Sequence, residues 1–193
     1  MNNKINIEMV DVPTSPCNQY AKTTELKLTM AIGGGNSYRT AARCLITKFN
    51  FREAHSNGSN CRELVLSHGD LMEYGELFES AGLKDTLYKS GDRFDCVWII
   101  QRLEVLPSYR GYGVSSEMFA YIKELLEPNE LVILKPFPLQ FEAAKGNDSK
   151  WLTMMGYERL PKEFKASQDR LINFYCNKIG FMEWNDEVLY IES

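Results

Sequence analysis

A glycine-rich turn between an apolar run and an amphipathic segment is the part of this chain best suited to bind a ligand. The apolar run ends at Leu106 and Pro107, and the turn that follows reads Arg110-Gly111-Tyr112-Gly113-Val114-Ser115. A turn of this kind directs backbone N–H groups at one point, beside the positive end of a helix dipole, which suits a diphosphate. No Lys-Ser/Thr pair follows, which disfavours a nucleotide P-loop, and the acidic residue of a dinucleotide-binding fold is also missing.

A second motif lies near the end of the chain and reads Phe174-Tyr175-Cys176-Asn177-Lys178-Ile179-Gly180-Phe181. Helical spacing over 166–179 places Tyr175 on an apolar face, and Gly180 is a typical helix-ending residue. From the spacing alone, the simpler interpretation of Tyr175 is an aromatic ring that packs the helix on a sheet.

Together and in this order, the two motifs resemble those of the GNAT superfamily, the acyl-CoA-dependent N-acetyltransferases. Leu103-x-Val105-x-Pro107-x-Tyr109-Arg110-Gly111-x-Gly113 is similar to that family's CoA pyrophosphate loop and the strand before it. Phe174-Tyr175-x-x-Lys178-x-Gly180-Phe181 is similar to its later helix-to-strand motif. The resemblance covers about residues 95–193. It implies an α/β fold with a mixed, mostly antiparallel twisted sheet, a V-shaped splay between two central parallel strands, and helices on both faces.

The resemblance also implies a role for each matching residue. The diphosphate of acetyl-CoA, the co-substrate, would bind the backbone amides of Arg110, Gly111, Tyr112, Gly113, Val114 and Ser115. The main chain of Leu103 and Val105 would pair with the pantetheine arm and polarise the thioester carbonyl. Tyr175 would act as general acid and protonate the departing thiolate while a primary amine attacks the thioester directly.

The chain departs from the family pattern at several positions. Ser115 replaces the third glycine or alanine of the loop, and Gln168 falls near the usual asparagine. The strand positions where a general base is often found hold Ile99 and Gln101, and strand alternation places Glu104 on the face opposite Ile99. No base is therefore assigned, and a non-catalytic or regulatory acyl-CoA-binding module remains an alternative function.

Five other ionisable residues could act as the general base, but each is interpreted as a solvated group at a strand end or in a loop. These residues are His55, His68, Asp95, Glu142 and Asp148.

A length of 193 residues fits one domain, or a domain with an extension. The resemblance implies a single GNAT-like domain over 1–193, in which residues 1–90 form the acceptor side and 95–193 bind acetyl-CoA. An insertion at about 136–168 makes the gap between the two motifs long for the family. It could form a substrate wall or lid, or a local core that covers the sheet.

Composition excludes several function classes. A net charge of −4 disfavours nucleic acid, including aminoacyl-tRNA, as a partner. Five scattered cysteines without a C-x-x-C pair favour free thiols over disulfides or a metal site. No signal peptide and no apolar run of about 18 residues are seen, so we expect a cytoplasmic protein without a membrane span. The expected partner is a small-molecule or protein amine, with a homodimer possible.

The hydrophobic pattern predicts the order of elements. The predicted strands are 5–12, 25–32, 41–51, 96–106 and 131–134, followed by a hairpin of 181–184 and 188–191. The predicted helices are 67–80, 114–126, 151–155 and 166–179, and 55–60 is predicted to be a loop.

Overall fold

A seven-stranded mixed sheet forms the centre of the protein, in the order β1-β2-β3-β6-β7-β9-β8. The computed structural model describes residues 5–13, 19–31, 38–79, 82–83, 94–142, 149–185 and 187–193. The large sheet contains β1 (Ile5–Val12), β2 (Ala21–Ala31), β3 (Tyr38–Asn50), β6 (Cys96–Val105), β7 (Glu130–Leu134), β8 (Met182–Asn185) and β9 (Val188–Glu192), and β4 (Phe78–Glu79) pairs with β5 (Gly82–Leu83) separately. Among the strands of the described residues, only β6 and β7 pair in parallel, as the strand–helix–strand order predicts. The predicted α/β class with a mostly antiparallel sheet is confirmed.

Helices cover both faces of this sheet. The apolar residues of α3 (Val114–Glu124) and of α5 (Phe164–Phe174), which continues as a π-helical turn over Tyr175–Ile179, pack on one face. The opposite face is covered by α1 (Phe51–Ser56), α2 (Cys61–Leu66) and a 3-10 helix over Gly69–Leu77. A smaller third cluster surrounds α4 (Ser149–Met155).

The region between β3 and β6 differs most from the sequence prediction. Residues 55–60, predicted as a loop, include the end of α1, and α2 begins at Cys61. The side chains of Asn50 and Asn60 cap these helices by accepting hydrogen bonds from the backbone N–H groups of Glu53 and Glu63. The repeated Asn-x-x-Glu spacing was the signal for both helix starts.

The predicted helix over 67–80 is a 3-10 helix because it packs closely on α2. A Cβ atom at Gly75 would lie 2.3 Å from the Leu66 side chain, so this approach requires glycine.

An extra residue in β6 changes the face that its later side chains occupy. Ile100 pairs with Ile46 and Arg102 pairs with Leu45, which leaves Gln101 as a β-bulge. Glu104 therefore lies opposite Arg43 and Ile99 opposite Thr47, and these two β3 residues share a face. The prediction that Glu104 lies on the face opposite Ile99 is wrong, because simple alternation does not hold across a bulge.

Candidate functional site

A cleft of about 400 Å³ opens beside the second half of β6, where β7 no longer pairs with it. Strand β7 pairs with β6 only over Cys96–Ile100, while β6 continues to Val105 along β3. The predicted site residues Leu103, Val105, Arg110, Ser115 and Tyr175 line this cleft together. Gly111, Tyr112, Gly113 and Val114 belong to the adjoining turn but do not line it.

The turn holds its shape through two glycines with left-handed backbone angles. Gly111 has φ of +81° and Gly113 has φ of +79°, and a Cβ atom at either position would meet no atom within 4 Å. Gly113 is the N-cap of α3 and supplies no side-chain capping bond, so the first-turn amides of α3 lack partners within the helix. Val114 is buried and anchors the helix, whereas Tyr112 is 73% exposed. The open space in front of the turn is therefore bounded by backbone donors.

The main chain of β6 presents hydrogen-bonding groups to the cleft. The Leu106 N–H donates to the carbonyl of Ala41 in β3 at 2.9 Å. Because residues of an antiparallel pair alternate in direction, the main-chain groups of Leu103 and Val105 point away from β3. These groups therefore point toward the edge of β6 that β7 leaves uncovered. The resemblance requires such an edge for pairing with an extended ligand.

Arg110 has a structural role that the sequence did not indicate. Its Nε donates to the Val105 carbonyl at 3.0 Å, and a terminal nitrogen donates to the Met155 carbonyl at 3.2 Å. Burial lowers the pKa of the guanidinium, against the opposite effect of Tyr157. Arg110 therefore ties the end of β6 to α4, and it adds positive charge at one side of the cleft.

Tyr175 lies in an aromatic cluster at the first residue of the π-helical turn. Its ring contacts Phe119, Phe174 and Phe181, with centroid separations of 5.6, 5.4 and 5.8 Å. Burial raises the pKa of the Tyr175 hydroxyl, and the neighbouring Cys44 thiol adds to this effect. The hydroxyl is therefore protonated at neutral pH and is able to donate a proton. The aromatic packing predicted as the simpler interpretation is present, and it coexists with a place in the cleft lining.

The insertion forms both a wall of the cleft and a small core of its own. Tyr157 and Met155 line the cleft, and both also pack with Leu106 and Trp151 in the third apolar cluster. The described part of the insertion is therefore a local core that also lines the cleft.

A buried carboxylate holds this wall on the sheet. Glu104 is 5% exposed, and it accepts hydrogen bonds from Trp151 Nε1 at 2.9 Å and from the Tyr157 hydroxyl. Arg102 donates to the same carboxylate at 3.1 Å and also forms an ion pair with Glu142. Glu104 is therefore fully engaged in positioning the insertion.

None of the described residues lining the cleft is a histidine or a carboxylate. His68 is half-buried and is hydrogen-bonded to Thr23, so its interpretation as a solvated group is wrong. His55 is exposed, Asp95 pairs with Arg52, and Asp148 lies outside the described residues. The described cysteines are Cys44, Cys61, Cys96 and Cys176, and all four are free.

Two further searches cover the described part of the chain. Its histidines, cysteines and carboxylates form no group of three or more that could hold a metal ion. In that same part, no helix is long and apolar enough to span a bilayer.

The fold and the cleft define the class of the molecule as an α/β protein with a cleft at the end of its central parallel strand pair. Comparisons with protein-family models, with curated proteins and with solved structures gave no match.

Proposed function

We propose that this protein is an acetyl-CoA-dependent N-acetyltransferase of the GNAT type. The observation that carries the proposal is the convergence of three features on one cleft. These features are Arg110 and Ser115 at the two ends of the glycine turn, the part of the Leu103 and Val105 main chain that neither β7 nor Arg110 occupies, and the side chain of Tyr175. The two sequence motifs came from positions about 65 residues apart, and the fold brings them to one place.

The donor would lie along β6. Its diphosphate would bind the amides of the turn from Arg110 to Ser115, where backbone donors and the helix dipole favour an anion. Its pantetheine arm would pair with Leu103 and Val105, because the pairing of β7 with β6 ends at Ile100. This early end of the pairing supports a V-shaped splay, which would bring the thioester close to Tyr175.

The reaction would be a direct acyl transfer. The lone pair of a neutral primary amine attacks the thioester carbon, and a C–N bond forms as the C–S bond breaks. The thiolate takes the hydroxyl proton of Tyr175, and the new amide nitrogen loses its extra proton to water. Tyr175 then recovers a proton from solvent, so one amine and one thioester give one amide and one thiol.

Two glycines provide a matched test of donor binding. Gly113 at the cleft and Gly58 after α1 have φ of +79° and +77°, and a Cβ atom at either would meet nothing within 4 Å. Alanine at either position should cost about 1–2 kcal/mol of stability, because both adopt the left-handed region. Only Gly113→Ala places a methyl group in the proposed diphosphate site. We therefore expect a dissociation constant for acetyl-CoA at least about 10-fold weaker, and no change for Gly58→Ala.

Isothermal titration calorimetry with acetyl-CoA measures binding, and urea unfolding measures stability. Equal acetyl-CoA affinity in the two variants would show that the turn does not hold the donor. Turnover is followed as CoA thiol release with propylamine, tyramine, spermidine and a lysine-containing peptide as acceptors. A protein that does not bind acetyl-CoA would sink the proposal as a whole.

The second candidate is a non-catalytic or regulatory acyl-CoA-binding module. The absence of a histidine or carboxylate among the described cleft-lining residues favours it, because no side chain there could take the amine proton. Saturable acetyl-CoA binding without thiol release for any amine would establish this alternative. The acceptor of the leading proposal is a small-molecule or protein amine. A cytoplasmic location is part of the same proposal, supported by the free cysteines.

A further inference from the structure

A chain of hydrogen bonds runs across the sheet face that α1 and α2 cover and includes Gln101, a residue that lines the cleft. The Gln101 side chain donates from Nε2 to the Thr47 hydroxyl at 2.6 Å. Thr47 meets the Thr23 hydroxyl at 2.8 Å, and Thr23 meets His68 Nε2 at 3.2 Å. Thr47 is 0% exposed and Thr23 is 5% exposed, and both are surrounded by the apolar residues of this face. Polar groups at such positions are costly to bury unless each has a partner.

The direction of these hydrogen bonds follows from the donors available. Gln101 Nε2 donates to the Thr47 hydroxyl. The Thr47 hydrogen is then available to the Thr23 hydroxyl, and the Thr23 hydrogen to His68 Nε2 in the tautomer that carries its proton on Nδ1. Burial lowers the pKa of His68 against the raising effect of Asp70, which favours the neutral ring. Each hydroxyl donates once and accepts once in this arrangement, which assigns the amide nitrogen of Gln101 to the Thr47 side. The Gln101 oxygen, Oε1, takes no part in this chain of hydrogen bonds, and Gln101 is one of the residues that line the cleft.

The β-bulge places this oxygen where the acceptor must approach. Gln101 is the extra residue of β6, directly after Ile100, the last residue that pairs with β7. The main chain of Leu103 follows at the uncovered edge. The Gln101 amide therefore stands at the point where the two strands separate. It belongs to the face covered by α1 and α2, opposite the face that holds Tyr175.

We propose that Gln101 binds the acceptor amine, with its Oε1 accepting one amine N–H, and that Thr47 and Thr23 are positioning residues that fix the amide in this orientation. This inference rests on the proposed acetyltransferase function and names the group that orients the nucleophile. An amide oxygen accepts a hydrogen bond without taking a proton, so the site binds an amine with at least one N–H and leaves its lone pair free. The amine approaches from the face of His68, while acetyl-CoA occupies the main-chain edge of β6. Proton release after attack goes to water, as in the proposed reaction.

Thr47 offers a conservative way to test the orientation of Gln101. Thr47→Val keeps the shape of the side chain but removes the hydroxyl that holds the Gln101 amide. We expect the KM for the fastest amine of the four-member panel to rise about 10-fold, with the dissociation constant for acetyl-CoA unchanged. Thr47→Ser restores a hydroxyl and should return the KM to within about twofold of the wild-type value. Gln101→Ala removes the acceptor oxygen itself and should raise the KM by at least as much as Thr47→Val.

Each outcome has a definite meaning. An amine KM within twofold of wild type in both Thr47→Val and Gln101→Ala would overturn the inference and leave the proposed function standing. A parallel loss of acetyl-CoA affinity would also overturn it, because Gln101 would then act on the donor. If thermal unfolding shows that Thr47→Val does not fold, the amine KM of Gln101→Ala alone decides the test, because Gln101 lines the cleft. A wild-type protein that binds acetyl-CoA but acetylates no amine would refute the proposed function and this inference with it.

Discussion

Replacing Tyr175 by phenylalanine should slow acetyl transfer strongly and leave the fold intact. The variant removes one oxygen atom and keeps the ring that contacts Phe119, Phe174 and Phe181. Within the described chain the hydroxyl makes no hydrogen bond, and burial is the main cause of its raised pKa. Because no hydrogen bond is lost, we expect the free energy of unfolding to change by less than about 0.5 kcal/mol.

The size of the rate effect follows from the leaving group. General acid catalysis contributes about 10²–10⁴-fold in enzymes. An alkyl thiol has a pKa of about 8.5, so its thiolate leaves without much help, and the lower end of that range applies. We therefore expect kcat to fall about 100-fold, which corresponds to about 2.7 kcal/mol at about 1.36 kcal/mol per tenfold. Thiol release at saturating acetyl-CoA and amine measures kcat, and urea unfolding measures stability.

Tyr157 is the matched control, because it is a second buried tyrosine that lines the same cleft. Its hydroxyl donates to the buried carboxylate of Glu104, and a hydrogen bond to a charged group contributes about 1.5–3 kcal/mol. Tyr157→Phe should therefore lose stability by that amount and retain most of kcat. A loss of kcat below about threefold in Tyr175→Phe, or equal losses in the two variants, would refute the assignment of Tyr175 as general acid.

Two further predictions concern stability and the cleft wall. Burial alone would raise the pKa of Glu130, but hydrogen bonds from Lys48 and Trp98 outweigh it and hold the pKa below its usual range. Such a carboxyl contributes stability above its unfolded pKa of about 4.3 and loses that contribution as pH falls through the folded value. Lys48→Met should raise the pKa of Glu130 in the folded protein. The variant should therefore have a lower free energy of unfolding than wild type, and the difference between the two should grow from about pH 4 to pH 7. A difference that stays constant over this range would contradict the prediction. Arg110→Lys keeps the charge but cannot join the two carbonyl oxygens that Arg110 now bridges. Limited proteolysis should then cut the insertion faster than in wild type, and an unchanged rate would count against the bridging role.

The sequence was sufficient to predict the strands of the large sheet and their order along the chain. The strand predicted over 96–106 is β6, and the short run 131–134 is nearly all of β7. Strong hydrophobic runs and glycine turns determine these elements locally, so they are readable without the fold. The convergence of Leu103, Val105 and Tyr175 depended on the resemblance, since no local rule joins positions so far apart.

The segments that the sequence did not predict depend on tertiary contacts. The 3-10 helix over Gly69–Leu77 forms where Gly75 allows close approach to Leu66, which no periodicity reveals. The bridging role of Arg110 is likewise invisible, because the Met155 carbonyl that it binds comes from a helix far along the chain.

The β-bulge at Gln101 is the feature that most affects how the site works, and nothing in the sequence of β6 marks it. With simple alternation, Leu103 and Val105 would share the face of Ile99, and Glu104 would face α3. The extra residue reverses this arrangement after Ile100. Glu104 then reaches Trp151 and Tyr157 of the insertion, while Leu103 and Val105 pack on the face of Tyr175. One inserted residue thus allows a single strand to hold the cleft wall on one face and to leave part of its main chain uncovered at its edge. Gln101 itself lies at the junction, which is the position that the proposed binding of an acceptor amine requires.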